Sequence, residues 1–279
     1  QYDSRDLLTQ VTDTLTGVSV QFTYDDDGRL IGIQRSNGVN TTFTWDAASR
    51  LIRIQDGDLA DLRYTYNAAG DVIQAVLDLP LDPADYLMDE TESFTYDAAS
   101  QVSSAGYAYD AQGRLIASPG HTYTWDGASR LVGIDDVALA YNGQDDLLTR
   151  TESGQTIRYH YNYALAMHPI VAEQDEGTGQ FQRYYVWTPD GRLLYMIDAT
   201  GGNSVYFYHF DQVGSTLALT DAGGSLTDAY AYTPYGRLLH HRGTNSQPFT
   251  YVGQWGVRQE GDSGTLYHMG ARYYDAITA

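Results

Sequence analysis

Six times between residues 24 and 131 the chain carries one seven-residue phrase, which runs aromatic, Asp or Asn, three small or polar residues, a charged or amide residue, and an apolar one. The copies start at Tyr24-Asp25, Trp45-Asp46, Tyr66-Asn67, Tyr96-Asp97, Tyr109-Asp110 and Trp125-Asp126, and most continue into Arg-Leu, as in Gly28-Arg29-Leu30 and Gly113-Arg114-Leu115. A unit this short cannot bury its apolar face alone, so a chain built from it must stack unit upon unit. Tyr2, Tyr24, Trp45 and Tyr66 are spaced by 22, 21 and 21 residues. About twenty residues make two strands and two turns, so each unit reads as one β-hairpin. The spacing then loosens through Tyr96, Tyr109, Trp125, Tyr141, Tyr161, Trp187, Tyr208 and Tyr232.

Inside a unit the period is two. Phe22-Thr23-Tyr24, Phe43-Thr44-Trp45, Phe94-Thr95-Tyr96 and Tyr123-Thr124-Trp125 each place two aromatics on one face with Thr on the other. These aromatics, with Tyr66, are expected to form rows packed as core. Asp25 and Asp46 can accept backbone N–H bonds from the residues ahead, as an Asx turn, and Gly28, Gly70 and Gly113 suit the positive φ at the turn's end. The arginine stem is then free to lie over a neighbouring aromatic.

Two departures interrupt the ladder. Prolines 80 and 83 favour a loop bulging from it within 77–91, with a short helical turn near Pro83; Ala164-Leu165-Ala166-Met167-His168-Pro169 is the second. The chain therefore divides into a hairpin region, 1–163, and continuing repeats with a terminal region, 164–279. The fold class is all-β. Some 24 strands at about 4.8 Å each would make a strip roughly 115 Å long, which must twist and curl into a spiral or barrel-like wall.

Composition narrows the function. There is no cysteine, which excludes disulfides and thiolate metal sites. Acidic residues outnumber basic ones 36 to 16, every base is arginine, and the net charge is −20. That balance argues against phosphate-backbone binding and against anionic membrane surfaces. No stretch approaches the roughly 20 apolar residues that span a bilayer. Repeats already running at Tyr2-Asp3 suggest a piece of a longer protein, its targeting segment elsewhere.

The repeated unit resembles the YD repeat of the RHS family, found in bacterial polymorphic toxins and teneurin-like surface proteins. The second half carries further family phrases: Tyr208-His209-Phe210-Asp211-Gln212-Val213-Gly214-Ser215, Tyr232-Thr233-Pro234-Tyr235-Gly236, and Gly270-Ala271-Arg272-Tyr273-Tyr274-Asp275. The resemblance covers essentially the whole chain. It implies a spiralling β-sheet shell whose terminal region closes it and leads into a variable C-terminal domain, often a toxin. Asp275 is followed by Ala276 where the family commonly has proline, and neither the self-cleavage segment nor a cargo domain is visible.

Enzymatic readings find little support. Asp25-Asp26-Asp27, Asp135-Asp136 and Asp145-Asp146 are neighbours in sequence, and adjacent strand residues point to opposite faces, unlike a glycosidase pair. Asp25-Asp26-Asp27-Gly28 lacks the spacing of an EF-hand. None of the seven histidines lies in a compact metal pattern. His209, Asp211 and Ser215 are the residue types of a triad, but read better as a turn phrase. The glycine pairs 201–202 and 223–224 lack phosphate-loop spacing. The expectation is a non-enzymatic shell segment with no cofactor and no metal, secreted or at the cell surface. Its expected partners are the rest of a longer RHS protein and a C-terminal toxin, with self-association as a further partner call. A surface adhesin module that uses the aromatics for sugars or receptors, or a fibre subunit, is the alternative.

Overall fold

The computed structural model describes residues 1–87, 93–261, 263–270 and 272–278. These form three antiparallel sheets in which every hydrogen-bonded neighbour is also a neighbour in sequence. Seven strands, from Gln10–Thr12 to Val72–Asp78, make the N-terminal sheet; fourteen, from Ala108–Tyr109 to Leu238–Arg242, make the main sheet. Arg258–Glu260, Leu266–Met269 and Arg272–Asp275 make a small terminal sheet. The all-β reading holds, the only helical pieces among the described residues being the 3-10 turns Pro83–Asp85 and Gly253–Trp255.

Curl is generated inside the repeat. Pairing slips by one residue where the strand reaches its aromatic: Thr23 opposes Gly32 but Tyr24 opposes Leu30, and Thr44 opposes Arg53 but Trp45 opposes Leu51. The same slip occurs at Tyr66, Tyr109, Trp125, Tyr141, Tyr161, Trp187, Phe210 and Tyr232. Each such bulge adds local right-handed twist and bends its strand, so a run of them rolls the sheet up.

Rolling up brings the two large sheets face to face. Val20, Phe22 and Ile33 pack on Tyr195, Ile197, Val205 and Phe207 of the main sheet, and Ile54, Leu62 and Tyr64 pack near Leu217. Tyr206, Tyr208 and Phe210 point the other way, into a second core with Trp187, Met196, Tyr230 and Phe249. The strands Leu193–Asp198, Ser204–Phe210, Thr216–Asp221 and Leu226–Tyr232 are thus a middle layer covered on both faces. Their sequences show it, since Leu-Leu-Tyr-Met-Ile and Val-Tyr-Phe-Tyr are unbroken apolar runs rather than alternating ones.

The main sheet runs unbroken across 163 and 164, because Gln155–Tyr161 pairs with Ile170–Asp175. The N-terminal sheet ends at Asp78 and the main sheet begins at Ala108. Residues 77 and 78 of the expected loop close the strand Val72–Asp78, and 88–91 lie outside the described residues. Instead of bulging away, the proline segment lies back over the main sheet. Leu81 packs against Ala229 and Ala231, the Tyr86 ring stacks on His240 at 4.4 Å, and Asp82 caps the 3-10 turn by accepting from Ala84 N. The apolar Leu81 and Tyr86 explain the difference, since they have more to gain against the sheet than in water.

Candidate functional site

The repeated turn is the recurrent structural device. Asp46 Oδ1 accepts the backbone N–H groups of Ala48 and Arg50, both at 2.9 Å, and its Oδ2 accepts Arg50 Nε at 2.7 Å. Asp25, Asp110 and Asp126 do the same with Arg29, Arg114 and Arg130. The N–H of Arg50, and that of Arg130 for Asp126, holds each carboxyl below the usual aspartate range, with the guanidinium adding to the effect. Gly28, Gly70 and Gly113 sit at φ of 79°, 94° and 78°. Ser49, Ser100 and Ser129 occupy the same place in their turns at 59°, 62° and 64°, a region where a side chain is strained.

Each turn is also tied to the next. Arg5 Nη1 donates to Asp25 O at 2.9 Å, Arg50 to Asn67 O at 3.0 Å and Arg114 to Asp126 O at 2.9 Å. The guanidinium of Arg50 lies 4.9 Å from the Tyr66 ring centre, and those of Arg114 and Arg130 lie over Trp125 and Tyr141. Aromatic tips reach in the opposite direction. Trp45 Nε1 donates to Leu30 O, Tyr66 OH to Leu51 O, Trp125 Nε1 to Leu115 O and Tyr141 OH to Leu131 O, all within 2.7–2.8 Å. Arginine points forward and the aromatic points back, so neighbouring hairpins interlock along one edge. Most of these aromatics are half-buried and Phe22 is buried, but Tyr96 is 59% exposed. Its hairpin, with Asp97, forms the single bridge Tyr96–Val102.

The terminal phrases close the structure. Asp211 Oδ1 accepts the N–H groups of Val213, Gly214 and Ser215. Among the described residues no arginine is bonded to it, and burial pushes its carboxyl up to about 6 against those three bonds. Ser215 Oγ accepts Val252 N at 3.2 Å. A Cβ on Gly214 would come within 2.6 Å of the Trp255 ring, and one on Gly236 within 2.5 Å of the Tyr251 ring, so both positions need glycine for close packing. Pro234 and Tyr235 are exposed at the turn, where Tyr274 OH donates to Tyr235 O and Tyr267 OH to Gly236 O. Tyr273 OH meets Tyr141 OH at 2.9 Å, Asp275 caps Ile277 N, and Arg272 is exposed.

His209 is not joined to Asp211 and Ser215 as a triad. Its Nδ1 lies 2.8 Å from Asp56 Oδ2 and its Nε2 2.8 Å from Thr220 Oγ1. Arg35 Nη1 donates to Thr41 Oγ1 and reaches Asp56 Oδ1 at 3.4 Å, while its Nη2 donates to Tyr208 O. Asn37 Nδ2 donates to Thr220 Oγ1 at 2.8 Å. Burial holds the imidazole below its ordinary pKa against the pull of Asp56; that carboxyl stays ionised, its burial outweighed by His209 and Arg35. Thr220, His209 and Asp56 have the order of a nucleophile–base–acid chain, yet none is more than 1% exposed and both sheets seal them. The group is a polar clasp joining the N-terminal sheet to the middle layer. Sequence reasoning missed Arg35, Asn37, Asp56 and Thr220, because no local pattern links partners some 150 residues apart.

Sequential hairpins, a slip at each aromatic, interlocked turns and a terminal segment covering one face together describe a YD-repeat wall. The teneurin YD-shell family profile matches residues 1–278. The chain belongs to the teneurin YD-shell family. This YD shell is 23% identical over 183 residues to the tRNA3(Ser)-specific nuclease WapA of Bacillus spizizenii, a match covering 63% of the shell chain and 8% of that protein. The tRNA nuclease WapA of Bacillus subtilis strain 168 is 21% identical over the same shares. Among solved structures, TcdB2-TccC3-Cdc42 matches 99% of the YD shell and 19% of its own chain, with a TM-score of 0.57 and 17% identity. The Photorhabdus luminescens Tc holotoxin pore matches 99% and 19%, with a TM-score of 0.52 and 16% identity. At such identities these structures speak for the fold. The YD shell therefore corresponds to a small part of much longer relatives, and it is a structural β-shell segment. Among the described residues no helix is long and apolar enough to cross a membrane.

Proposed function

We propose that this YD shell is a non-enzymatic wall segment of a longer exported or surface-displayed protein, in which it encloses or carries a C-terminal effector. The observation that carries the reading is the layering. A middle layer covered by the N-terminal sheet on one face, and on the other sharing a core with the earlier strands of the main sheet and Phe249 of the terminal segment, is a wall that locks onto itself. Such a wall excludes other proteins from what it covers, and its net charge of −20 limits adhesion of other anionic surfaces. The test is the intact mass of the protein purified from its source. A cleaved downstream piece that stays bound to the shell supports enclosure, whereas an uncleaved chain whose downstream part is fully open to protease speaks against it.

One observation favours self-association as a second reading. All seven residues of the edge strand Val72–Asp78 are exposed, among them Val72, Ile73, Val76 and Leu77 at 49–63%. An apolar open edge is a template for another strand. Sedimentation velocity should then show concentration-dependent oligomers that Val76→Lys abolishes; a monomer at all concentrations would remove this reading.

A further inference from the structure

The chain has two Asn-Gly pairs, Asn37-Gly38 and Asn142-Gly143. An asparagine before glycine is open to attack on its own side chain, because no Cβ shields the next backbone nitrogen. At Gly38 a φ of 85° explains the glycine. At Gly143 nothing in the fold does. Its φ lies outside the left-handed region and a Cβ there would meet nothing. Ala47, Ala68, Ala98 and Ala111 hold the same place in other turns.

The two pairs are also held differently. Gly38 N donates to Arg35 O at 3.0 Å, and Asn37 Nδ2 is bound to Thr220 Oγ1 and Asp221 O. Gly143 is exposed, and its N–H donates to nothing among the described residues. Asn142 Oδ1 accepts the N–H groups of Gln144 at 2.8 Å and Asp146 at 3.0 Å. Its Nδ2 lies 2.9 Å from Tyr163 OH, which donates to Asp146 Oδ2 at 2.7 Å. That bond to Asp146 raises the Tyr163 hydroxyl above its ordinary pKa, so it keeps its proton. Asn67 makes the same bonds to Ala69, Asp71 N and the Asp71 carboxylate, but alanine follows it and no tyrosine meets its Nδ2.

We propose that Asn142 is a self-modifying site, at which Gly143 N closes on Asn142 Cγ and the side-chain amide nitrogen leaves as ammonia. A solvent hydroxide takes the Gly143 N–H proton as the N–Cγ bond forms. The C=O electron pair moves to Oδ1, where the two backbone N–H groups stabilise the negative charge. Collapse of that charge breaks the Cγ–Nδ2 bond. Nδ2 leaves with the Tyr163 hydroxyl proton, turned toward it from Asp146, and water reprotonates Tyr163 and regenerates hydroxide. Another water opens the cyclic imide to aspartate or isoaspartate. Aspartate sets a second carboxylate against Asp146 in place of a 3.1 Å hydrogen bond, and isoaspartate lengthens the backbone within the turn. The turn so loosened holds Arg130 through Asp145 and follows Tyr141, whose hydroxyl meets that of Tyr273 in the terminal segment. Only water is consumed, so the site does not depend on what the wall encloses.

Peptide mapping of the whole folded chain, incubated at mildly alkaline pH, tests this by following the conversion of amide to acid at each asparagine. Asn142 should convert severalfold faster than Asn37. Gly143→Ala, which the turn accommodates, should stop it. Tyr163→Phe, at a side chain 45% exposed, should slow it by at least about tenfold. Ala68→Gly gives Asn67 the glycine without the tyrosine, and Asn67 should then still convert more slowly than Asn142. Equal rates at Asn37 and Asn142, or at Asn142 and the Ala68→Gly site, would overturn the proposal. So would a wild-type rate in Gly143→Ala or Tyr163→Phe. Asn142→Asp, which writes one product in advance, should lower the melting temperature; an unchanged value would overturn the loosening of the turn.

Discussion

Aspartate and arginine hold this molecule together in two places, and the two work differently. Along the edge, Asp25–Arg29, Asp46–Arg50, Asp110–Arg114 and Asp126–Arg130 recur as partly exposed pairs, with arginine side chains 23–34% exposed. Between the sheets, Arg35 and Asp56 occur once, their side chains 6% and 2% exposed, with Thr41 bonded to both and His209 to Asp56. An exposed pair in water contributes little, so the edge gains strength by repetition and by each arginine also gripping the next turn. A buried pair stabilises little relative to apolar residues, but it is intolerant of losing one member. The edge is cumulative; the clasp is all or nothing.

The sharpest way to break this comparison is Asp56→Ala. It leaves Arg35 buried without its counter-charge and His209 without an acceptor, and should cost about 3–5 kcal/mol in urea unfolding. A loss below about 1 kcal/mol would put the clasp on the same footing as the edge. Asp211 sharpens the contrast from the other side, because it is a turn aspartate that lacks an arginine. Its carboxyl titrates at about 6 in the folded chain against roughly 3.9 unfolded, so the folded state holds the proton between those values. Its contribution is therefore favourable below pH 4 and is lost as pH rises through 6. Asp211→Asn keeps the acceptor oxygen and should gain about 1–2 kcal/mol at pH 8 but almost nothing at pH 4. A gain of equal size at both pH values would rule out the charge as its cause.

Smaller effects belong to the edge. Arg50→Ala removes one ion pair, one bond to Asn67 O and the contact over Tyr66, and should cost about 1 kcal/mol. Lysine should not restore it, since it lacks the planar fork that reaches Asp46 from Nε and Asn67 from Nη1 while lying over Tyr66. Thermal unfolding of the three proteins decides the point. The smallest change expected is at Ser49. Glycine would relieve the positive φ but forfeit the 3.0 Å bond that Ser49 Oγ accepts from Arg29, so Ser49→Gly should stay within about 0.5 kcal/mol of wild type.

What could be read in advance follows the same division. The all-β class and the hairpin ladder were legible because aromatic, Asp and turn recur at fixed offsets, which is local information repeated many times. The doubly covered middle layer was also written locally, in runs such as Leu193–Ile197, though the runs do not name what covers each face. The clasp was not legible. Asp56 ends an ordinary-looking strand just before the turn at Gly57-Asp58, and only the roll of the sheet brings it to His209. His209 attracted notice for Asp211 and Ser215, its neighbours in sequence, whereas its partners come from another sheet and another strand.

The one-residue slip at each aromatic carries an implication for how such chains change over time. Because curvature is dispensed in equal local doses, duplicating or deleting a whole hairpin lengthens or shortens the wall without altering its gauge, as courses are added to a chimney. Changes of a few residues in a hairpin's loop are absorbed, since Tyr66, Tyr141 and Trp187 reach their carbonyls across 15, 10 and 17 residues, whereas a change between the slip and its aromatic would take the ring off its carbonyl. The lineage of a protein built this way should grow and shrink by whole hairpins, with differences in unit length taken up in the loops and in segments such as 79–87 that lie across the masonry and not within it.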